Sequence, residues 1–117
     1  MSLFEVQEAE LRPDCRVIEL KGELDLAVAG QLEEALERAR DFRLVLIDLD
    51  RCEFLDSTGI AIFVRAHTES RREGRVVAAV RATGQVLRVL SITGLTQDGL
   101  FFESAEQALE ALGPSTP

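Results

Sequence analysis

An α/β domain built on a mixed, mainly parallel sheet is the fold class this sequence predicts, and three observations carry it. Strand-like runs alternate with amphipathic helical stretches in the order β-β-α-β-α-β-α-β-α, the pattern that crossover connections impose on parallel strands. The first two runs are separated only by the turn Arg12-Pro13-Asp14, so the first strand pairs antiparallel with the second and forms a sheet edge. Leu44-Val45-Leu46-Ile47 is apolar on both alternating faces, as a central strand must be when helices, or a helix and a partner layer, cover both sides. A single domain of about five strands and about four helices follows.

Each element has its own local reason. Phe4 and Val6 alternate with polar neighbours, and Val17-Ile18-Glu19-Leu20 resumes the strand pattern until Gly22-Glu23-Leu24-Asp25 closes it. Val28, Leu32, Leu36 and Ala39 recur at helical spacing opposite Glu33, Glu34, Glu37 and Arg38, which predicts a first helix over about 27–40 with Asp25 as a candidate cap. The strand from Leu44 ends in solvent at Asp48 and Asp50, and a short loop leads to Asp56-Ser57-Thr58-Gly59 at the start of a second helix. Ile60, Phe63 and Val64 mark its buried stripe, His67 follows as a partly covered side chain, and Gly74 supplies a C-cap. Val76 to Val80 is a short buried strand, and Thr83-Gly84 opens a third helix that carries Val86, Leu87 and Leu90 and breaks around Gly94. Leu100-Phe101-Phe102 is a last strand, after which the capping-box pattern Ser104-Ala105-Glu106-Gln107 starts a final helix through Leu112. The domain is expected over 1–112, with 113–117 as a flexible C-terminal tail.

Composition narrows the function classes. A chain of 117 residues buries roughly two-thirds of its unfolded surface in one core. Thirteen basic against 21 acidic residues give a formal charge of -8, which repels phosphate backbones and anionic membranes. Trp and Tyr are absent, so base-stacking platforms are poorly supplied. Neither nucleic acid nor membrane is therefore expected as a partner; proteins with a basic face are. Cys15 and Cys52 fit no metal or redox spacing and are read as reduced thiols, no cofactor or metal is expected, and Met1-Ser2-Leu3-Phe4-Glu5 lacks the pattern of a signal peptide. A cytoplasmic location is the expectation.

The most informative stretch is the one around Ser57. A hydroxyl placed as the N-cap of a helix accepts a hydrogen bond from the first turn, worth about 1 kcal/mol, and stands where orphan N–H groups and the helix dipole converge. A phosphate there would carry nearly two negative charges and three acceptor oxygens, favoured by the dipole and opposed by Asp56. Capping alone is the plainer reading of Ser57, as it is of Asp25, and Thr58 is the alternative hydroxyl. Hydrolytic chemistry is disfavoured, because the sole histidine, His67, lies roughly 15 Å along the same helix at about 1.5 Å per residue and no Gly-x-Ser-x-Gly elbow surrounds Ser57. Asp48 and Asp50 look superficially like paired phosphatase aspartates, and Gly84 and Gly94 form no phosphate cradle.

Gly22-Glu23-Leu24-Asp25, Val45-Leu46-Ile47-Asp48-Leu49 and Phe54-Leu55-Asp56-Ser57-Thr58-Gly59-Ile60, in this order and separation, resemble the STAS domain of bacterial anti-sigma factor antagonists over essentially the whole chain. The resemblance implies a non-catalytic regulator whose phosphorylation site is Ser57. It implies a partner that is both anti-sigma factor and serine kinase, a docking surface that includes Asp25, Asp56, Ser57, Thr58 and Gly59, and a serine phosphatase that resets the switch. A monomer or weak dimer is expected. One departure is Ala61, where many relatives carry glycine. The alternatives are a STAS scaffold of a stressosome or of a lipid-transport complex, and a nucleotide or small-molecule sensor using the same helix start.

Overall fold

The computed structural model describes residues 3–97 and 99–113. The expected tail at 113–117 falls almost wholly outside the described residues; Gly113 alone is included, as coil. Along the described chain run β1 (Glu5–Arg12), β2 (Cys15–Leu24), α1 (Ala29–Arg38), β3 (Leu44–Leu55), α2 (Ser57–Arg72), β4 (Val76–Val80), α3 (Gly84–Ile92), β5 (Phe101–Phe102) and α4 (Ala105–Leu112). The strands form one sheet in the order β1-β2-β3-β4-β5, with β1 antiparallel to β2 and every later pair parallel. The element order and the antiparallel edge are as the sequence predicts.

Alternation along β3 sorts the helices onto the two faces. Val45, Ile47 and Leu49 point into the larger core with Leu32 and Ala35 of α1, Ile62 and Phe63 of α2, and Val86 and Leu90 of α3. Leu44 and Leu46 point the other way, onto a smaller core with Ala78, Val80 and Ala108 of α4. Every one of those β3 side chains is at most 1% exposed, which explains an apolar run without polar alternation. Cys15 and Cys52 are both buried free thiols, and burial pushes the Cys52 thiol up to about 11, so it is inert as a nucleophile at neutral pH.

Two sequence expectations are corrected here. β3 does not stop at its aspartates but runs to Leu55, staying paired with β2 through shifts of register around Glu19–Lys21 and Gly22–Glu23. Within the strand, Asp48 and Asp50 both pair with Arg81, at 3.2 and 2.8 Å. The first helix starts at Ala29, later than expected, and Val28 occupies its N-cap without a side-chain hydrogen bond. Asp25 closes the preceding turn instead, its Oδ1 accepting from Ala27 N at 3.0 Å and its carbonyl from Val28 N at 3.2 Å.

β4 pairs with β3 only from Leu44 to Asp48, whereas β2 accompanies β3 as far as Leu24↔Leu55. The carboxyl ends of β2 and β3 therefore project together beyond the rest of the sheet. That ledge carries Asp25 on one strand and Asp56 on the other.

Candidate functional site

Parallel pairing brings the two halves of the site together. Leu24 and Leu55 are register partners, so the residues that follow them, Asp25 and Asp56, leave the sheet side by side, and Asp56 N donates to Leu24 O at 3.3 Å. Among the described residues neither aspartate has a salt-bridge partner. Open parallel sheets present their functional edge at this end of their strands.

Asp56, not Ser57, is the N-cap of α2. Its backbone is extended (φ -101, ψ -175) and its Oδ1 accepts from Thr58 N at 3.0 Å and Gly59 N at 3.2 Å. This corrects the sequence expectation, and the physical reason lies in the backbone: both side chains can cap, but the extended residue is Asp56, which puts its carboxylate in reach of the first orphan N–H groups. Ser57 becomes the first helical residue, exposed, with its hydroxyl not committed to the cap. Thr58 is half-buried.

Gly59 is buried beneath this surface. A Cβ there would collide with Leu55 Cδ1 and lie 2.8 Å from Leu24 Cδ2, so the first turn of α2 can sit on the strand pair only if this residue has no side chain. Gly59 thus shapes the edge from below and offers no side chain to a visitor. Gly22 is held to glycine for a similar reason, because its backbone lies at φ +100 and a Cβ would strike the carbonyl of Leu3.

Around Ser57 the exposed side chains are apolar as well as acidic. Leu26, one residue past Asp25, is 76% exposed, and Phe54, two residues before Asp56, is 39% exposed. Ala61 and Val64, one and two turns along α2 from Ser57, are also open to solvent. Val64 was expected in the buried stripe; the stripe in fact runs through Gly59, Ile62, Phe63, His67 and Ser70, rotated so that Ser57, Ala61 and Val64 share the outer face.

The family follows from this frame. The STAS domain model matches residues 7–108. The chain belongs to the STAS domain family. An anti-sigma-B factor antagonist of Listeria monocytogenes is 31% identical over 77 residues, covering 64% of this chain and 68% of that protein. The anti-sigma-B factor antagonist of Bacillus subtilis is 29% identical over 82 residues, covering 67% of this chain and 72% of that one. The crystal structure of an anti-sigma factor antagonist from Mycobacterium paratuberculosis matches with a TM-score of 0.75 at 26% identity, covering 95% of this chain and 93% of that chain.

In this STAS domain the remaining candidates are structural. His67 is 9% exposed, more deeply buried than the sequence suggests, and its Nδ1 donates to Val77 O at 2.7 Å. Ser70 Oγ donates to His67 O at 2.9 Å and accepts from Val77 N at 3.0 Å, so the two side chains dock α2 onto the start of β4. A cleft between α1 and α2, bridged by Arg65–Glu33 at 2.6 Å and Arg40–Glu73 at 2.9 Å, has a mixed-charge lining and does not include Ser57. No group of three or more potential metal ligands occurs among the described residues. No helix among them is long and apolar enough to cross a membrane.

One residue at the site escapes sequence reasoning altogether. Gln85, in the first turn of α3, accepts from Leu55 N through Oε1 at 3.1 Å and donates from Nε2 to Leu55 O at 3.2 Å. Its trace in the sequence is slight, an amide beside the apolar Val86, Leu87, Val89 and Leu90.

Proposed function

We propose that this STAS domain is an anti-sigma factor antagonist whose affinity for its partner is switched by phosphorylation of Ser57. The observation that carries the reading is the state of that hydroxyl: exposed, one residue past the cap, and free of the cap's hydrogen bonds. The names of the relatives support the class of partner. In this reading the unmodified protein binds an anti-sigma factor that is also a serine kinase, in the cytoplasm, and so releases a sigma factor. A serine phosphatase reverses the modification, and the antagonist itself catalyses nothing.

The cap geometry explains why the switch would act on affinity. A phosphate at a helix start ordinarily gains from unpaired N–H groups, but Thr58 N and Gly59 N are already held by Asp56 Oδ1 and Ile60 N by Asp56 O. The dipole still favours the new charge, and the Asp56 carboxylate opposes it. With little internal gain or loss, the fold stays as it is. In the complex, by contrast, a dianion would have to be desolvated among groups fitted to a hydroxyl, costing a few kcal/mol and weakening binding by roughly a hundredfold.

Incubation with the cognate kinase and ATP, followed by mass spectrometry and titration, tests the reading. One phosphate on Ser57 and a large loss of affinity are expected, with Ser57→Ala binding constitutively and Ser57→Asp binding weakly. No incorporation, or incorporation without a change in affinity, would overturn it.

A further inference from the structure

Past Asp48, no strand among the described residues lies on the side of β3 that would face β4, since the β3–β4 ladder stops at Asp48↔Val80. The N–H and C=O of one strand residue point to the same side, so Leu55 presents both of its backbone groups towards this gap. Gln85 fills it. Its side-chain amide meets Leu55 with the same donor and acceptor pair that a peptide group of a neighbouring strand would offer. The following N–H, that of Asp56, points the opposite way and bonds Leu24 O. The peptide unit between Leu55 and Asp56 is therefore gripped at both ends, its oxygen by Gln85 from α3 and its nitrogen by Leu24 from β2.

That peptide unit is the last one before the cap. Its orientation sets the direction of the Asp56 carboxylate, the carboxylate fixes Thr58 N and Gly59 N, and those fix the first turn that carries Ser57. We infer that Gln85 is a positioning residue for the Ser57 site, a stand-in strand that holds the hydroxyl in one orientation towards the docking partner. The inference rests on the reading of Ser57 as the switch for its functional meaning, but the clamp has a physical consequence measurable in the isolated protein. It also links α3 to the site: anything that displaces the start of α3 would loosen Ser57.

Amide hydrogen exchange on the full chain, followed residue by residue by NMR, tests the clamp. In Gln85→Ala the amide of Leu55 loses its acceptor directly, so the informative amides are those of Asp56, Thr58 and Gly59, whose acceptors are untouched. Their exchange should accelerate about tenfold or more, the factor associated with losing roughly one net hydrogen bond, while Ala78 and Val80 in the sheet change little. Gln85→Glu supplies a chemical rescue. As a carboxylate it can accept from Leu55 N but cannot donate to Leu55 O, so the three amides should exchange fast at neutral pH. Once protonated, the acid regains a donor, and protection relative to wild type at the same pH should return as the pH falls through the carboxylate range. A side chain that mattered only as bulk would show no such pH-dependent recovery. Unchanged exchange at Asp56, Thr58 and Gly59 in Gln85→Ala, or a Gln85→Glu protein whose loop is indifferent to pH, would overturn the inference. Kinase treatment of the wild type separates the two readings. Loosened amides with no phosphate ever found on Ser57 would support the clamp and sink the switch, and a phosphorylated Ser57 with unchanged amides would do the reverse.

Discussion

The two ends of the parallel sheet are built on opposite principles. At the amino end, arginines tie loops together: Arg75 donates to Phe42 O at 2.8 Å and Ala39 O at 3.1 Å, and Arg43 bonds Asp14 Oδ2 at 3.1 Å and Gly113 O at 3.2 Å. At the carboxyl end of β2 and β3, Asp25 and Asp56 have backbone partners only among the described residues, and Ser57, Leu26 and Phe54 face solvent. One end uses long arginine side chains to tie separate loops together, while the other commits Asp25, Asp56 and Gln85 to nearby backbone and leaves Ser57, Leu26 and Phe54 facing solvent. Substitution of the arginines at the first end should therefore register in stability, and substitution of the exposed side chains at the second in binding.

Gly59→Val is the strongest test, because it is the place where that division should break. Gly59 lies at the binding edge yet packs on Leu24 and Leu55, both at most 1% exposed and unable to give way freely. A branched side chain there should cost about 3 kcal/mol, the upper end of overpacking costs, and thermal unfolding should show it as a drop of roughly 4 °C per kcal/mol. Arg75→Ala comes next. It strips donors from two carbonyls at the amino end and should cost about 2 kcal/mol in chemical denaturation, leaving partner affinity intact.

Asp56→Ala removes the cap of α2 and should cost about 1 kcal/mol of stability, whereas Asp25→Ala, which loses only a turn contact, should cost less. Both should weaken partner binding, measured by calorimetry. If Asp25→Ala proved the more destabilising, the assignment of the cap to Asp56 would be wrong.

A smaller effect distinguishes the ion pairs elsewhere. The Arg38 hydrogen bond holds the Glu8 carboxyl below its usual range, against partial burial that pushes it up, and the Arg16 hydrogen bond adds to the lowering. Because the folded form binds the proton less readily than the unfolded chain, this pairing stabilises the protein above the ordinary carboxylate range and is lost as the pH falls through the depressed value. Glu8→Gln should flatten the acid side of a plot of Tm against pH; an unaltered slope would mean that the pairing contributes nothing.

The fold was legible because its signals are local and redundant. The run Leu44–Ile47 is short and apolar on both faces, as a covered central strand is, and the Arg12-Pro13-Asp14 turn reverses the chain before it. The geometry around the candidate site was less legible. Two neighbouring residues, Asp56 and Ser57, can both cap a helix, and only the backbone decides between them; the extended conformation at Asp56 puts its carboxylate in reach of the first N–H groups. Val64 was misplaced because Ile60-Ala61-Ile62-Phe63-Val64 is nearly all apolar, so periodicity alone leaves the phase of the helix open, and contact with the sheet sets it. The continuation of β3 past Asp48 and Asp50 is hidden in the sequence because the β2 residues that pair with it, and Arg81, are remote from it along the chain. Gln85 was invisible for the same reason, since its partner Leu55 lies 30 residues away.

The division between the two ends rests finally on Ser57. The most direct measurement is the dissociation constant for the anti-sigma partner before and after stoichiometric phosphorylation, taken together with the amide spectrum of each free form. The expected result is a loss of affinity of roughly a hundredfold, with spectral changes confined to the neighbourhood of Ser57. An unchanged dissociation constant, or a phosphorylated form whose whole spectrum rearranges, would contradict the account.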